Sequence, residues 1–87
     1  MLKILRSSNG QVIFTLIGRM QAERVAELEE LLKSEAGARQ IVLDLKDLTL
    51  ADRDAVRFFE RCEESGIKLK NCPAYIREWI TRQRGGS

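Results

Sequence analysis

The stretch Ile41 to Phe59, IVLDLKDLTLADRDAVRFF, constrains this chain most, because it changes from strand to helix periodicity with no linker between. Apolar residues alternate through Ile41, Leu43 and Leu45. They then recur at Ala55, Val56, Phe59 and Cys62, the spacing of a helix buried on one face. A strand feeding straight into an amphipathic helix belongs to a layered α/β architecture. Between the two lies the turn Asp52-Arg53-Asp54. Unpaired backbone N–H groups at such a junction favour an anion. Asp52 is a good N-cap and Asp54 suits a positive first turn, whereas Arg53 is locally unfavourable there. No glycine cradle and no Ser, Thr, His or Cys stands among the three, so the turn reads as built for contact rather than for reaction.

The same periodicities place the other elements. Leu2 and Ile4 alternate with polar residues in a short first strand, and Asn9-Gly10 is a strong hairpin signal. Val12 to Ile17 is apolar on both faces, as a central or doubly covered strand is, and Gly18 closes it. Val25, Leu28, Leu31 and Leu32 recur at helical spacing, predicting a helix from about Gln21 to Ala36 with Gly37 as its C′ residue. Ser65-Gly66 stops the next helix, and Ile67 and Leu69 form a short fourth strand. Pro73 opens a last helix with the stripe Tyr75, Ile76, Trp79 and Ile80, which is either a packing face or an exposed anchor. The order is β-β-α-β-α-β-α, a mixed sheet with helices mainly on one face. One domain over residues 1–82 is expected, with 83–87 as a frayed tail.

Composition removes several function classes. Eighty-seven residues make one domain, and 44% apolar with 32% charged residues fit a soluble globular protein. Fifteen basic against thirteen acidic residues leave a net charge of +2, too small and too interspersed to argue for nucleic acid. The longest apolar runs are far too short for a bilayer span, and no signal sequence is evident, so a cytoplasmic protein is expected. There is no His, no phosphate-binding loop and no nucleophile elbow, and no ligand set for a metal. No catalytic residue and no cofactor are expected. Cys62 reads as a small core hydrophobe, and Cys72 lies near a helix N-terminus, where a thiol pKa is often lowered.

With the elements in order, the chain resembles the STAS domain of sulfate transporters and bacterial anti-sigma-factor antagonists. Gly18-Arg19-Met20 resembles the family's Gly-x-Leu; Ile41 to Leu45, Leu48, Asp52 and Asn71-Cys72-Pro73 follow in the family's order. The resemblance implies a non-catalytic regulatory module that docks on another protein, such as an anti-sigma kinase-like partner. The alternatives are a soluble STAS subunit of a membrane-transport assembly, or a sensor holding a small anion or nucleotide at the Asp52 turn. In phospho-switched members a phosphorylatable Ser or Thr follows the matching Asp. Here Arg53 stands in that place and Ala55 stands where Gly is usual, so the ordinary switch is not expected. Set against the family's pattern, the resemblance also implies that the sequence ends early, and the family's final strand and helix are not expected in it.

Asp52, Arg53, Asp54 and Arg57 are the candidate partner-binding residues. Asp52 serves as N-cap in any case. Arg53 is either a solvated charge paired with Asp54 or Glu60, or an anchor for a partner carboxylate or phosphate. Arg57 and Arg61 with Glu60 and Glu64 read first as a solvated helix face. A homodimer is left open.

Overall fold

The computed structural model describes residues 1–35, 37–38 and 40–85, with Arg84 and Gly85 as backbone only. The elements are β1 (Leu2–Ser8), β2 (Val12–Met20), α1 (Ala22–Lys33), β3 (Ile41–Asp44), β4 (Leu48–Ala51), α2 (Arg53–Glu64), β5 (Lys68–Lys70) and α3 (Ala74–Gly85). The fold is the expected mixed sheet with helices mainly on one face, with one additional strand.

β2 organises the sheet. The hairpin turn at Asn9-Gly10 lays β1 antiparallel along one edge, with Leu2 opposite Gly18 and Ser8 opposite Val12. The other edge of β2 is shared by two parallel strands. β3 pairs with Val12 to Thr15, and β4 pairs with Gly18 to Met20. β5 completes the sheet beside β3. Gly18 therefore does not end the strand, as its glycine suggested; β2 continues through an irregularity between Gly18 and Arg19 to Met20. β4 is the element that periodicity did not separate. Lys46 donates its backbone N–H to Asp44 Oδ1, and Leu48 N–H donates to the Leu45 carbonyl, so a tight turn breaks the strand in two.

Side chains at alternate positions of β2, Val12, Phe14, Leu16 and Met20, face a single core. Leu28 of α1, Val56, Phe58 and Phe59 of α2, and Ile76 and Ile80 of α3 pack into it. α2 lies between α1 and α3. The stripe Ile76, Ile80 is a packing face, whereas Tyr75 is 43% exposed. Two side-chain pairs tie the layers at the periphery. Arg77 of α3 grips Glu63 of α2 at 3.0 Å, and Arg6 of β1 grips Glu35, past α1, at 2.7 Å. The Arg6 hydrogen bonds hold the Glu35 carboxyl below its ordinary range.

Two helix ends differ from expectation. α1 stops at Lys33: Ser34 N–H makes the last i→i−4 bond, to the Glu30 carbonyl, and the next amide, Glu35 N–H, turns instead to the Leu32 carbonyl three residues back. Gly37 has no positive φ and does not serve as a left-handed C′ residue; Ala36 lies outside the described residues. α3 continues through Gly85, so helical backbone occupies 83–85, where a frayed tail was expected; Gly86 and Ser87 lie outside the described residues.

Candidate functional site

α2 begins where β4 ends, and α1 begins where β2 ends. Since β2 and β4 are parallel neighbours, both helix N-termini stand at the same end of the sheet. Asp52 N–H donates to the Met20 carbonyl at 3.2 Å, fastening the two strand ends together. One side chain serves both helices. Asp52 Oδ1 accepts from Ala55 N–H at 2.9 Å, capping α2, and Asp52 Oδ2 accepts from Ala22 N–H at 2.9 Å, at the first residue of α1. The N-cap residue of α1, Gln21, supplies no side-chain cap of its own. Each oxygen thus meets a backbone donor at a positive helix end, which is favourable for a carboxylate.

The N-cap role read from sequence is present, and the bridge to Ala22 was not legible, since thirty positions separate the partners. Asp52 is half-buried, whereas Arg53, Asp54 and Arg57 are exposed. Among the described residues, no ion pair or hydrogen bond holds the side chains of these three. The pairing of Arg53 with Asp54 or Glu60 is therefore not formed. The three exposed residues form a mixed-charge patch around a capped, rigid turn.

Beside the patch, Arg57, Glu60, Arg61 and Gln83 line an open groove of about 350 Å³ between α2 and α3. Gln83 Oε1 is buried and has no hydrogen-bond partner among the described residues. On the other side of α2, Phe58, Cys62, Leu32 and Ile67 line an apolar cleft of about 300 Å³ rimmed by Glu29, Lys33 and Arg61. Arg61 lies over the Phe58 ring, 6.0 Å from its centre, rather than in a pair along the helix face. No group of three or more His, Cys, Asp or Glu residues converges on a metal position among the described residues.

The cysteines are placed for packing. Cys62 is 4% exposed, and burial pushes its thiol up to about 12; Arg61 offsets part of this. Cys72, expected to be lowered near the start of α3, is instead raised, because half-burial outweighs the nearby Arg77. Its Sγ faces the Pro73 carbonyl at 3.7 Å rather than a free helix N–H. Since the folded Cys62 thiol holds its proton more tightly than the unfolded one, it contributes stability below about pH 9 that is lost as pH rises toward 12. Iodoacetamide at pH 8 is expected to label Cys62 on the order of 10²–10³-fold more slowly in the native chain than in urea, because only thiolate reacts. Peptide mapping by mass spectrometry gives the rates; equal labelling in both states would contradict the burial.

No family model and no curated protein matches the chain by sequence. Solved structures match it by fold. The anti-sigma factor antagonist SpoIIAA in its unphosphorylated form aligns with a TM-score of 0.69 at 15% identity, covering 94% of this chain and 83% of that one. A protein of the DUF3478 family with a SpoIIAA-like fold, from Shewanella loihica PV-4, aligns with a TM-score of 0.60 at 17% identity, covering 98% and 77%. Mglu aligns with a TM-score of 0.57 at 20% identity over 85% of this chain but only 19% of its own.

Proposed function

We propose that this chain is a non-catalytic regulatory module that docks on another protein, in the manner of an anti-sigma-factor antagonist in bacterial cytoplasm. The docking surface is the exposed first turn of α2. One observation carries the reading. Asp52 is consumed by the two helix N-termini, leaving Arg53, Asp54 and Arg57 exposed on the turn with no side-chain partner among the described residues. Arginine is favoured at the centre of interfaces, where its planar fork grips a carboxylate. No membrane-crossing helix occurs among the described residues.

A small anion or nucleotide at this turn is the weaker reading. The position that an anion would take against the helix N-termini is filled by Asp52, and Glu23 and Asp54 add negative charge in the two first turns. The proposed module is not switched by phosphorylation at the usual position, because the Arg53 guanidinium offers no hydroxyl. The hydroxyls of Thr49 and Ser65 are nearby alternatives. Each now donates to a backbone carbonyl, Gly18 and Arg61 respectively.

The partner is to be captured from native cells on the immobilised chain, then purified and titrated. Recovery of an anti-sigma kinase is the expected result. A transporter subunit would instead favour a role in a membrane-transport assembly, and recovery of no protein would reject the docking module altogether. With the purified partner, Arg53→Glu is expected to weaken binding at least about tenfold, a typical hot-spot loss. Its thermal midpoint should be unchanged, since a negative residue suits the first turn. Full affinity in Arg53→Glu would remove this turn from the interface. Phosphate on Thr49 or Ser65 that alters binding would show a switch moved to another hydroxyl.

A further inference from the structure

Helices cover one face of the sheet, and among the described residues none covers the other. The registers place Ser7, Ile13, Val42 and Lys68 in one row across that open face, and Leu5, Thr15, Asp44 and Lys70 in the next. Lys3 stands beside Ile17 at one end, and Arg19 beside Leu50 at the other side of the β2 irregularity. Val42 is only 2% exposed and lies outside the helix-covered core cluster, so it offers a partner no contact area. Leu5 and Leu50, by contrast, are 46% and 44% exposed. The face is an apolar strip with recessed branched side chains, and open leucines on either side.

Its charge is one-sided. Lys3, Arg19, Lys68 and Lys70 are all exposed, and no described residue pairs with them. The strand carboxylate on this face, Asp44, is occupied by the Lys46 N–H at 3.0 Å and the Asn71 side chain at 3.2 Å. Four cations and one carboxylate make +3, whereas the whole chain is +2, so the remainder of the molecule sums to −1. Lys3 on β1 and Lys68 and Lys70 on β5 flank Ile13, Thr15 and Ile17 of β2 and Val42 and Asp44 of β3. Four strands at about 4.8 Å spacing set these flanks roughly 14 Å apart, close to the 10–12 Å diameter of an α-helix.

We propose that this open sheet face docks an acidic amphipathic helix of a partner protein. The helix lays its apolar stripe on Leu5, Ile13 and Ile17 and its carboxylates on Lys3, Lys68 and Lys70. A second copy of the chain fits worse, since face-to-face pairing sets two cationic surfaces against each other. An anionic membrane fits worse too: Ile13 and Ile17 are only partly exposed, and no Trp or Phe stands in these rows to enter the lipid interface. Single-stranded nucleic acid would need aromatic platforms that these rows lack. The surface is distinct from the α2 turn and stands or falls without it.

The test titrates the isotopically labelled full chain with a synthetic peptide of about five helical turns, Leu at i, i+3, i+4 and i+7 and Glu elsewhere. A scrambled peptide of the same composition and phosphatidylglycerol vesicles serve as comparators. Amide shifts are expected over residues 3–5, 13–17, 42–44 and 68–70. Affinity should fall at least tenfold in the double variant Lys68→Glu, Lys70→Glu, and again as salt rises from about 0.05 to 0.3 M. Arg53→Glu should bind the peptide as the parent chain does. Equal binding of the scrambled peptide, shifts confined to α2, binding to vesicles alone, or dilution-dependent shifts on this face from self-association would each overturn the proposal.

Discussion

Asp52→Ala is expected to lower stability by about 2–3 kcal/mol, although the residue is neither in the core nor in an ion pair. A lost N-cap typically costs about 0.5–2 kcal/mol. Here the same carboxylate also holds Ala22 N–H, so both helices that flank the proposed docking turn lose a terminal bond at once. The Ala22 site is open to water, which limits the second penalty to about 1 kcal/mol. For a chain of this size the sum corresponds to a fall of roughly 10–20 °C in thermal midpoint. Asp52→Asn is the diagnostic variant. Its amide has one oxygen and can accept at Ala55 or at Ala22 but not at both, so about half of the loss is expected. Thermal and urea unfolding measure the totals, and hydrogen exchange at Ala22 and Ala55 shows which end opens. If Ala and Asn variants lose the same amount, or either loses less than about 0.5 kcal/mol, the carboxylate is not joining the two helices.

The contrast between the two Asp52 contacts shows what a sequence like this one reveals. Signals that act within a few residues were readable. The Asn9-Gly10 turn lies in the β1–β2 hairpin, and α2 starts after Asp52 and ends before Ser65. Apolar periodicity also assigned the core faces of α2 and α3. What was not readable depends on a second segment. Leu48 and Leu50 are spaced as on one face of a strand, out of phase with Ile41, Leu43 and Leu45, yet Leu48 is buried and Leu50 is 44% exposed. Opposite them β2 is irregular between Gly18 and Arg19, which puts Thr49 and Leu50 together on the outward side. Gly37 looked like a helix stop because glycine usually is one, but the i→i−4 ladder of α1 had already given way at Glu35, whose N–H donates to the Leu32 carbonyl. The exposed residues Arg53, Asp54 and Arg57 were legible as charges beside a cap, and their lack of a partner among the described residues was not, since that depends on which carboxylates the fold brings near. The open sheet face was hidden for a related reason. Residues apolar on both sides of β2 imply two covered faces, whereas the helices cover only one.

Gly18→Ala is expected to have the larger effect, about 3 kcal/mol, for two separable reasons. Gly18 has φ +105°, a conformation that costs a side-chain-bearing residue roughly 1–3 kcal/mol. It is also crowded: a Cβ at this position would run into the Met1 carbonyl oxygen. That oxygen accepts the Arg19 N–H at 3.0 Å, so moving it aside unpicks the end of β1 from β2. The position matters because β2 changes partner here, from β3 to β4, with Gly18 N–H donating to the Asp47 carbonyl and the Gly18 carbonyl accepting from Thr49 Oγ1. Shifting it would disturb the strand ends that carry the Asp52 turn, so partner binding at Arg53 should weaken together with stability. Gly66→Ala provides the comparison. Gly66 also has positive φ, at +95°, but a Cβ there meets nothing within 4 Å, so that variant reads the backbone strain alone. The difference between the two variants in urea unfolding measures the crowding, and at least about 1 kcal/mol is expected from loss of the Met1 contact. Equal losses at Gly18 and Gly66 would mean that the β1 end yields freely, and that backbone conformation is the whole reason a glycine stands where the sheet changes partner.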